Sequence, residues 1–178
     1  GSFSFSAPKI ISTGQGGAII TDDDDIALSL RRLKDCGRDG GGSDVHASIG
    51  FNFKFTELQA VIGIEQIKKL PERVARKKEI YLRYQEGLSG LENIQLFQND
   101  MVTTAPWFID VLAYQREDLM SFLKTKGIGT RVMYPPINKQ QAYGLAGSYP
   151  VSENIGVKGL WLPSMVQLED DQIQYICE

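Results

Sequence analysis

The segment Ser4-Phe5-Ser6-Ala7-Pro8-Lys9 leads into a glycine-rich turn, Thr13-Gly14-Gln15-Gly16-Gly17, and then into a short apolar run, Ala18-Ile19-Ile20-Thr21. A lysine that is fixed between a hydroxyl-rich segment and a tight turn suits chemistry in which an amine attacks a carbonyl group. Burial or a neighbouring cation lowers the pKa of a lysine and supplies the neutral amine that this attack needs. The pattern suits a Schiff-base lysine at Lys9, although a lysine is most often a solvated surface charge, and Ser4 is near enough in sequence to donate its hydroxyl to a phosphate on the same ligand.

Three further blocks extend this pattern along the chain. They are Gly50-Phe51-Asn52-Phe53-Lys54-Phe55-Thr56-Glu57-Leu58-Gln59-Ala60, then Gly127-Ile128-Gly129-Thr130-Arg131 with Tyr134-Pro135-Pro136, and finally Tyr149-Pro150-Val151 with Gly159-Leu160-Trp161-Leu162-Pro163-Ser164. With the Lys9 block, and in the same order, they resemble the DegT/StrS family of sugar aminotransferases, which are pyridoxal-phosphate enzymes of fold type I.

The resemblance implies an α/β fold and covers nearly the whole chain, which corresponds to the C-terminal half of such an enzyme. We therefore expect a fragment of a fold type I transferase. Residues 1–90 are expected to form the C-terminal part of the large cofactor-binding domain, with long interface helices. Residues 91–178 are expected to form a small C-terminal α/β domain.

The resemblance also implies cofactor-binding roles for three residues. Lys9 is expected to hold pyridoxal 5'-phosphate as a Schiff base and to move a proton between the cofactor and the substrate carbon. Ser4 is expected to bind the cofactor phosphate, and Asn52 to bind the cofactor phosphate of the neighbouring subunit in a homodimer. Simpler interpretations stay open, because Ser4 also suits a locally bonded hydroxyl at a strand end and Asn52 also suits a turn before a helix.

On the substrate side, the resemblance points to Lys54, Asn138 and His46. Lys54 stands where members carry Arg or Lys and is expected to touch substrate phosphates, although an exposed lysine also fits. Asn138 replaces a histidine that many members use for substrate binding, and an isolated loop histidine such as His46 is usually a solvated or capping residue. The blocks most resemble perosamine-synthase-like members, which implies glutamate as amino donor and a nucleotide-linked 4-keto-6-deoxy sugar as acceptor.

Two other functions compete with this interpretation. Ser6-Ala7-Pro8-Lys9 also fits the Ser-x-x-Lys pattern of acyl-serine enzymes, but that pattern needs a helix, which Ile10-Ile11 and Gly14 oppose. The second alternative is a non-catalytic module that dimerises without a cofactor. We expect the fragment alone to be inactive, so this module remains a serious alternative for the isolated chain.

Composition narrows the class of protein further. The chain has 178 residues, 42% of them hydrophobic and 23% charged, which is typical of a globular protein with a real core. A net charge of -3 without a basic patch argues against nucleic acid as a partner, and no apolar run is long enough to cross a membrane. Cys36 and Cys177 fit neither a metal site nor a disulfide spacing and are consistent with a reducing cytoplasm.

Local patterns predict the main elements. Asp22–Asp25 predict a helix start rather than a metal site, and Gly37–Gly42 predict a loop. Thr56 and Gln59 form a capping box for a helix that is apolar on nearly every side, which indicates a subunit interface. The other predicted elements are a buried strand within Ile10–Thr21, a helix from Pro71 to Gly87, a strand at Trp107–Leu112, a helix at Arg116–Lys126 with Leu119, Met120, Phe122 and Leu123 facing inward, a strand at Ile128–Met133 and a helix start near Leu168.

Overall fold

A computed structural model describes residues 1–40 and 44–178. The chain divides into two compact units, Gly1–Pro71 and Glu72–Glu178, which are described separately. The predicted loop Gly37–Gly42 lies partly outside the described residues.

The first unit contains a small two-stranded ribbon and two helices. Strand β1 (Ser2–Ser4) pairs antiparallel with β2 (Gly17–Ile19), and helices α1 (Asp24–Lys34) and α2 (Glu57–Lys68) follow. The prediction that the strand within Ile10–Thr21 is buried is wrong, because Ile19 and Ile20 are 58% and 59% exposed. A two-stranded ribbon has no further strand that could cover its side chains.

The beginnings of both helices match the sequence prediction. The Asp23 carboxylate accepts a hydrogen bond from the Ile26 N–H at 2.9 Å, so the aspartates cap α1. At α2, the Gln59 N–H donates to Thr56 Oγ1 at 3.3 Å, and the Thr56 N–H donates to Gln59 Oε1 at 2.9 Å. The predicted capping box is therefore confirmed, since both partners satisfy amides that the helix leaves unpaired.

The second unit is a four-stranded antiparallel sheet packed against helices. The strand order is β3-β4-β6-β5. The strands are β3 (Ile94–Leu96), β4 (Ile109–Ala113), β5 (Arg131–Val132) and β6 (Gly159–Leu162), and the helices are α3 (Leu70–Gly87), whose first turn contains the unit boundary, α4 (Arg116–Thr125), α5 (Pro150–Lys158) and α6 (Asp170–Cys177).

One face of this sheet forms the core of the second unit. Alternate residues of the two central strands point into it, and α3 contributes its buried side chains; the members are Ile80, Tyr81, Tyr84, Leu88, Leu96, Ile109, Val111, Leu123, Ile128, Leu160, Leu162 and Ile173. Because the buried side chains of α3 belong to this core, the compact units divide at Pro71–Glu72. The domain boundary near residue 90 stays a prediction.

The second unit differs from the sequence prediction at Phe122 and in three elements. Phe122 does not face inward but is 53% exposed, with Lys126 Nζ lying 5.5 Å above the centre of its ring. Leu119, Met120 and Leu123 complete the inner stripe of α4 without it, because these three positions share one helix face. The strands β3 and β6 and the helix α5 were not predicted.

Lys77 on α3 gives a testable pH dependence. Its Nζ donates to the Ser164 carbonyl oxygen at 2.6 Å and to Ser164 Oγ at 3.0 Å, and burial lowers the pKa of Lys77 from 10.5 to about 8. The unfolded chain therefore binds more protons than the folded protein between pH 8 and 10.5, and the Lys77 contribution to stability rises with pH across that window. Over this pH range, we expect the free energy of unfolding of the wild type to increase by up to about 3 kcal/mol relative to that of Lys77→Met.

Urea unfolding followed by circular dichroism at several pH values measures this gain. The exposed lysine of α4 provides the control, since Lys124→Met should keep the pH dependence of the wild type. A constant difference between the wild type and Lys77→Met from pH 7 to pH 10 would show that Lys77 titrates normally in the folded protein.

Candidate functional site

Lys9 lies in a loop whose two ends are joined by backbone hydrogen bonds. The Phe5 N–H donates to the Gly16 carbonyl at 2.8 Å, and the Thr13 N–H donates to the Phe5 carbonyl at 3.0 Å. Within the loop, the Lys9 N–H donates to the Ser6 carbonyl at 3.0 Å. The Lys9 residue is half-buried, and its side chain extends from a backbone that these hydrogen bonds restrain.

The glycine turn behind Lys9 is fixed against the start of α2. A Cβ atom at Gly16, where φ is +130°, would lie 2.5 Å from the ring of Phe55. Gln59 Nε2 donates to the Gln15 carbonyl at 2.7 Å, and Thr13 Oγ1 donates to the same oxygen at 2.8 Å. Sequence reasoning assigned Gln59 only to the helix cap, and its second contact with the turn carries no local sequence signal.

Ser4 lies at the end of β1 on the same segment as Lys9. Its Oγ donates to Ser6 Oγ at 3.1 Å and accepts from the Ser6 N–H at 3.3 Å. The hydroxyl is therefore bonded locally, as the simpler interpretation expects, but the residue is exposed and a stronger acceptor has access to it. The phosphate-binding role of Ser4 stays a prediction.

Asn52 and Lys54 lie on a second segment of the same unit, beside the C-terminal end of α1. The backbone of Asn52 forms an isolated antiparallel β-bridge with that of Asp35, and the Phe53 N–H donates to the Lys34 carbonyl at 2.9 Å. Lys54 Nζ donates to Asp35 Oδ1 at 2.8 Å, and this hydrogen bond holds the pKa of Asp35 below its usual value. Since exposed ion pairs contribute little, an incoming anion competes with Asp35 for Lys54 at small cost.

The last two predicted residues are His46 in the first unit and Asn138 in the second. His46 is exposed, and its Nδ1 donates to the Cys36 carbonyl at 2.7 Å, which suits a residue that fixes a loop. Asn138 belongs to the second unit, where its Nδ2 donates to Glu153 Oε1 at 2.8 Å. The first unit therefore carries Lys9, Ser4, Asn52, Lys54 and His46, and the second unit carries Asn138.

The acyl-serine alternative lacks its structural basis. Residues 6–9 form turns and bends rather than a helix, so Ser6 and Lys9 are not arranged one helical turn apart. Across residues 1–40 and 44–178, no group of three His, Cys, Asp or Glu side chains lies close enough to hold a metal ion. In the same described ranges, no helix has the length and hydrophobicity needed to span a bilayer.

Known proteins resemble the chain over its whole length. The sequence model of the DegT/DnrJ/EryC1/StrS aminotransferase family matches residues 1–178. The GDP-perosamine synthase of Escherichia coli O157:H7 is 31% identical over 180 residues, which are 99% of this chain and 49% of that protein. The GDP-perosamine synthase of Caulobacter vibrioides is 30% identical over 183 residues, which are 98% of this chain and 49% of the relative.

Solved structures agree with this similarity. The aminotransferase TlmJ from Streptoalloteichus hindustanus superimposes with a TM-score of 0.91 at 29% identity, covering 99% of this chain and 50% of its own. An aminotransferase from Brucella abortus superimposes with a TM-score of 0.89 at 26% identity, covering 99% of this chain and 48% of its own. The chain spans about half the length of the curated relatives it matches.

Proposed function

Because this chain belongs to the DegT/DnrJ/EryC1/StrS aminotransferase family, we propose that it forms the C-terminal half of a pyridoxal-phosphate-dependent enzyme that aminates a nucleotide-linked keto sugar. The observation that carries this proposal is the half-buried Lys9 in a loop whose ends are joined by backbone hydrogen bonds. A Schiff-base lysine must be held in a fixed position, and the hydrogen bonds at both ends of the loop restrain the backbone that carries Lys9.

The residues on the chain fit the cofactor. Pyridoxal phosphate carries an aldehyde and a phosphate, and when bound it supplies the electron sink for amino transfer. The Lys9 amine suits the aldehyde, and the exposed Ser4 hydroxyl on the same segment suits the phosphate. Asn52 offers an amide donor, which we assign to the cofactor phosphate of a second copy of the protein.

Lys9 has two tasks in this proposal. Its Nζ holds the cofactor in place before the substrate binds, and afterwards the freed amine moves a proton to and from the substrate carbon. The second task needs an amine that is positioned accurately near the substrate carbon, and the hydrogen bonds at both ends of the loop restrain the backbone of Lys9.

For the acceptor we propose a GDP-linked 4-keto-6-deoxy sugar, with glutamate as the donor. The support is the similarity to GDP-perosamine synthases of several bacteria. Lys54 is the proposed phosphate contact in the first unit, since its ion pair with Asp35 is exposed and easily opened. Asn138 and His46 are proposed as weaker substrate-side contacts, and we propose that the enzyme works in the cytoplasm as a homodimer.

An amination assay tests this function. A full-length enzyme that carries this chain is incubated with glutamate, pyridoxal phosphate and GDP-4-keto-6-deoxymannose. Mass spectrometry should detect the amino sugar and an equal amount of 2-oxoglutarate. If no nucleotide-linked keto sugar from a broad panel is aminated, the proposed function is wrong.

A second function, a non-catalytic dimerising module, is favoured by one observation. The apolar side chains of α2 are exposed along the helix, with Leu58 at 80% and Val61 at 61%. A module of this kind would dimerise through α2 and leave Lys9 unmodified. An absorbance spectrum of the chain with added pyridoxal phosphate separates the two functions, because only the first predicts a band in the region of about 400–430 nm.

A further inference from the structure

Arg131 on β5 has a guanidinium that is held by two aromatic rings. Its Cζ lies 5.4 Å from the centre of the Trp161 ring and 5.5 Å from that of Tyr134. In the part of the chain that the structure describes, no carboxylate pairs with it, whereas Arg76 and Arg83 both pair with Glu79. The hydrogen-bonding edge of Arg131 is therefore available to a ligand.

The sheet fixes the position of the rings that hold Arg131. Trp161 on β6 lies directly opposite Arg131 on one side and Asp110 on the other, so the three side chains share one face of the sheet. The Trp161 Nε1–H donates to Asp110 Oδ1 at 2.6 Å, and the Phe108 ring stacks on the indole at 4.1 Å with an interplanar angle of 16°. Trp161 is only 6% exposed, and it provides Arg131 with a rigid support.

This arrangement has the chemistry of a phosphate site beside a stacking surface. A guanidinium that contacts aromatic rings keeps its N–H groups free for two parallel hydrogen bonds to a phosphate. Tyr134 lies 4.9 Å from Trp161 in an edge-on contact, and 60% of its surface is exposed. An exposed aromatic ring next to a fixed cation suits a planar base that carries phosphates.

We propose that Arg131 and Tyr134 form a binding site on the second unit for the nucleoside-diphosphate part of the substrate. Arg131 binds the diphosphate, Tyr134 stacks with the base, and Asp110 acts as a positioning residue through Trp161. The identity of the ligand rests on the proposed function, whereas the presence of an anion site rests on the geometry of these residues.

The test measures binding to the complete chain. The fluorescence of the two tryptophans, one of which is Trp161, is followed during titration with guanosine diphosphate, pyrophosphate or guanosine. We expect guanosine diphosphate to bind most tightly, pyrophosphate more weakly, and guanosine least of all. Added salt should weaken the binding of both phosphates.

Variants then assign the binding to Arg131. Arg131→Met keeps an apolar stem of similar length and should raise the Kd of guanosine diphosphate at least about tenfold. Tyr134→Leu should raise the Kd of guanosine diphosphate several-fold and leave that of pyrophosphate less affected. Arg31→Met is the matched control, since Arg31 is an exposed arginine on α1, and it should bind like the wild type.

Two results would overturn the site. The first is a Kd of guanosine diphosphate that neither Arg131→Met nor Tyr134→Leu changes. The second is binding of guanosine as tight as that of guanosine diphosphate. If Arg131→Met loses its circular dichroism spectrum, Tyr134→Leu and Arg131→Lys decide the question in its place. Labelling of Lys9 by pyridoxal phosphate in a full-length enzyme that carries this chain separates the two proposals. Labelled Lys9 without diphosphate binding overturns this site alone, and diphosphate binding without labelled Lys9 overturns the proposed function alone.

Discussion

Replacing Lys9 by alanine is expected to lower the turnover of the full-length enzyme at least about 100-fold. The substitution removes the anchor of the cofactor and the group that moves the proton, and loss of an acid–base group alone typically costs 10²–10⁴-fold in rate. The fold should survive, because the backbone hydrogen bonds of Phe5, Lys9 and Thr13 are kept when Lys9 becomes alanine. Steady-state amination rates and circular dichroism measure the two effects.

Two further variants show whether the amine itself is responsible. Lys9→Arg keeps a positive charge at the same place but replaces the amine by a guanidinium that stays protonated, so we expect the same loss. Lys34→Ala removes an exposed lysine from α1 and should leave the rate unchanged. A Lys9→Arg enzyme with near-normal turnover would mean that only the charge of Lys9 matters.

The second large effect concerns α2, whose exposed side should make the chain self-associate. Its apolar side chains at Leu58, Val61, Ile62, Ile64 and Ile67 are between 48% and 80% exposed. Several large apolar side chains that are exposed on one helix are typical of an association surface, and burying them against a second copy is favourable. We expect the chain to sediment as a dimer or larger species at micromolar concentration.

A single charge on this surface should oppose association. Ile62→Lys places an ammonium group in the proposed contact and should shift the population strongly toward monomer. Leu82→Lys alters an equally exposed leucine on α3 and should sediment like the wild type. A wild-type chain that is monomeric, with Ile62→Lys no more soluble, would show that α2 is not an association surface.

The sequence predicted correctly those helix ends that depend on interactions between neighbouring residues. The start of α2 was predictable because Thr56 and Gln59 satisfy each other's backbone amides without help from the rest of the chain. The end of α3 at Gly87 was predictable in the same way, since glycine ends a helix readily. The DegT/StrS resemblance was confirmed over all 178 residues.

Features that depend on distant partners were not predictable. Strand β6 is buried at every position, so it lacks the alternation that identifies a strand, and β3 has only three residues. Phe122 has the composition of a core residue, but the inner face of α4 is already complete without it. The contact of Arg131 with the Trp161 ring depends on the pairing of three strands, and no spacing along the sequence shows that pairing.

The most direct test of the central claim is to identify the lysine that pyridoxal phosphate modifies. A full-length enzyme that carries this chain is incubated with the cofactor, reduced with borohydride, digested and analysed by mass spectrometry. The proposal predicts that the stable pyridoxyl group lies predominantly on Lys9 and is lost in Lys9→Ala. Labelling spread over exposed lysines such as Lys34 and Lys124, with Lys9 unmodified, would contradict the assignment of Lys9 as the cofactor-binding residue.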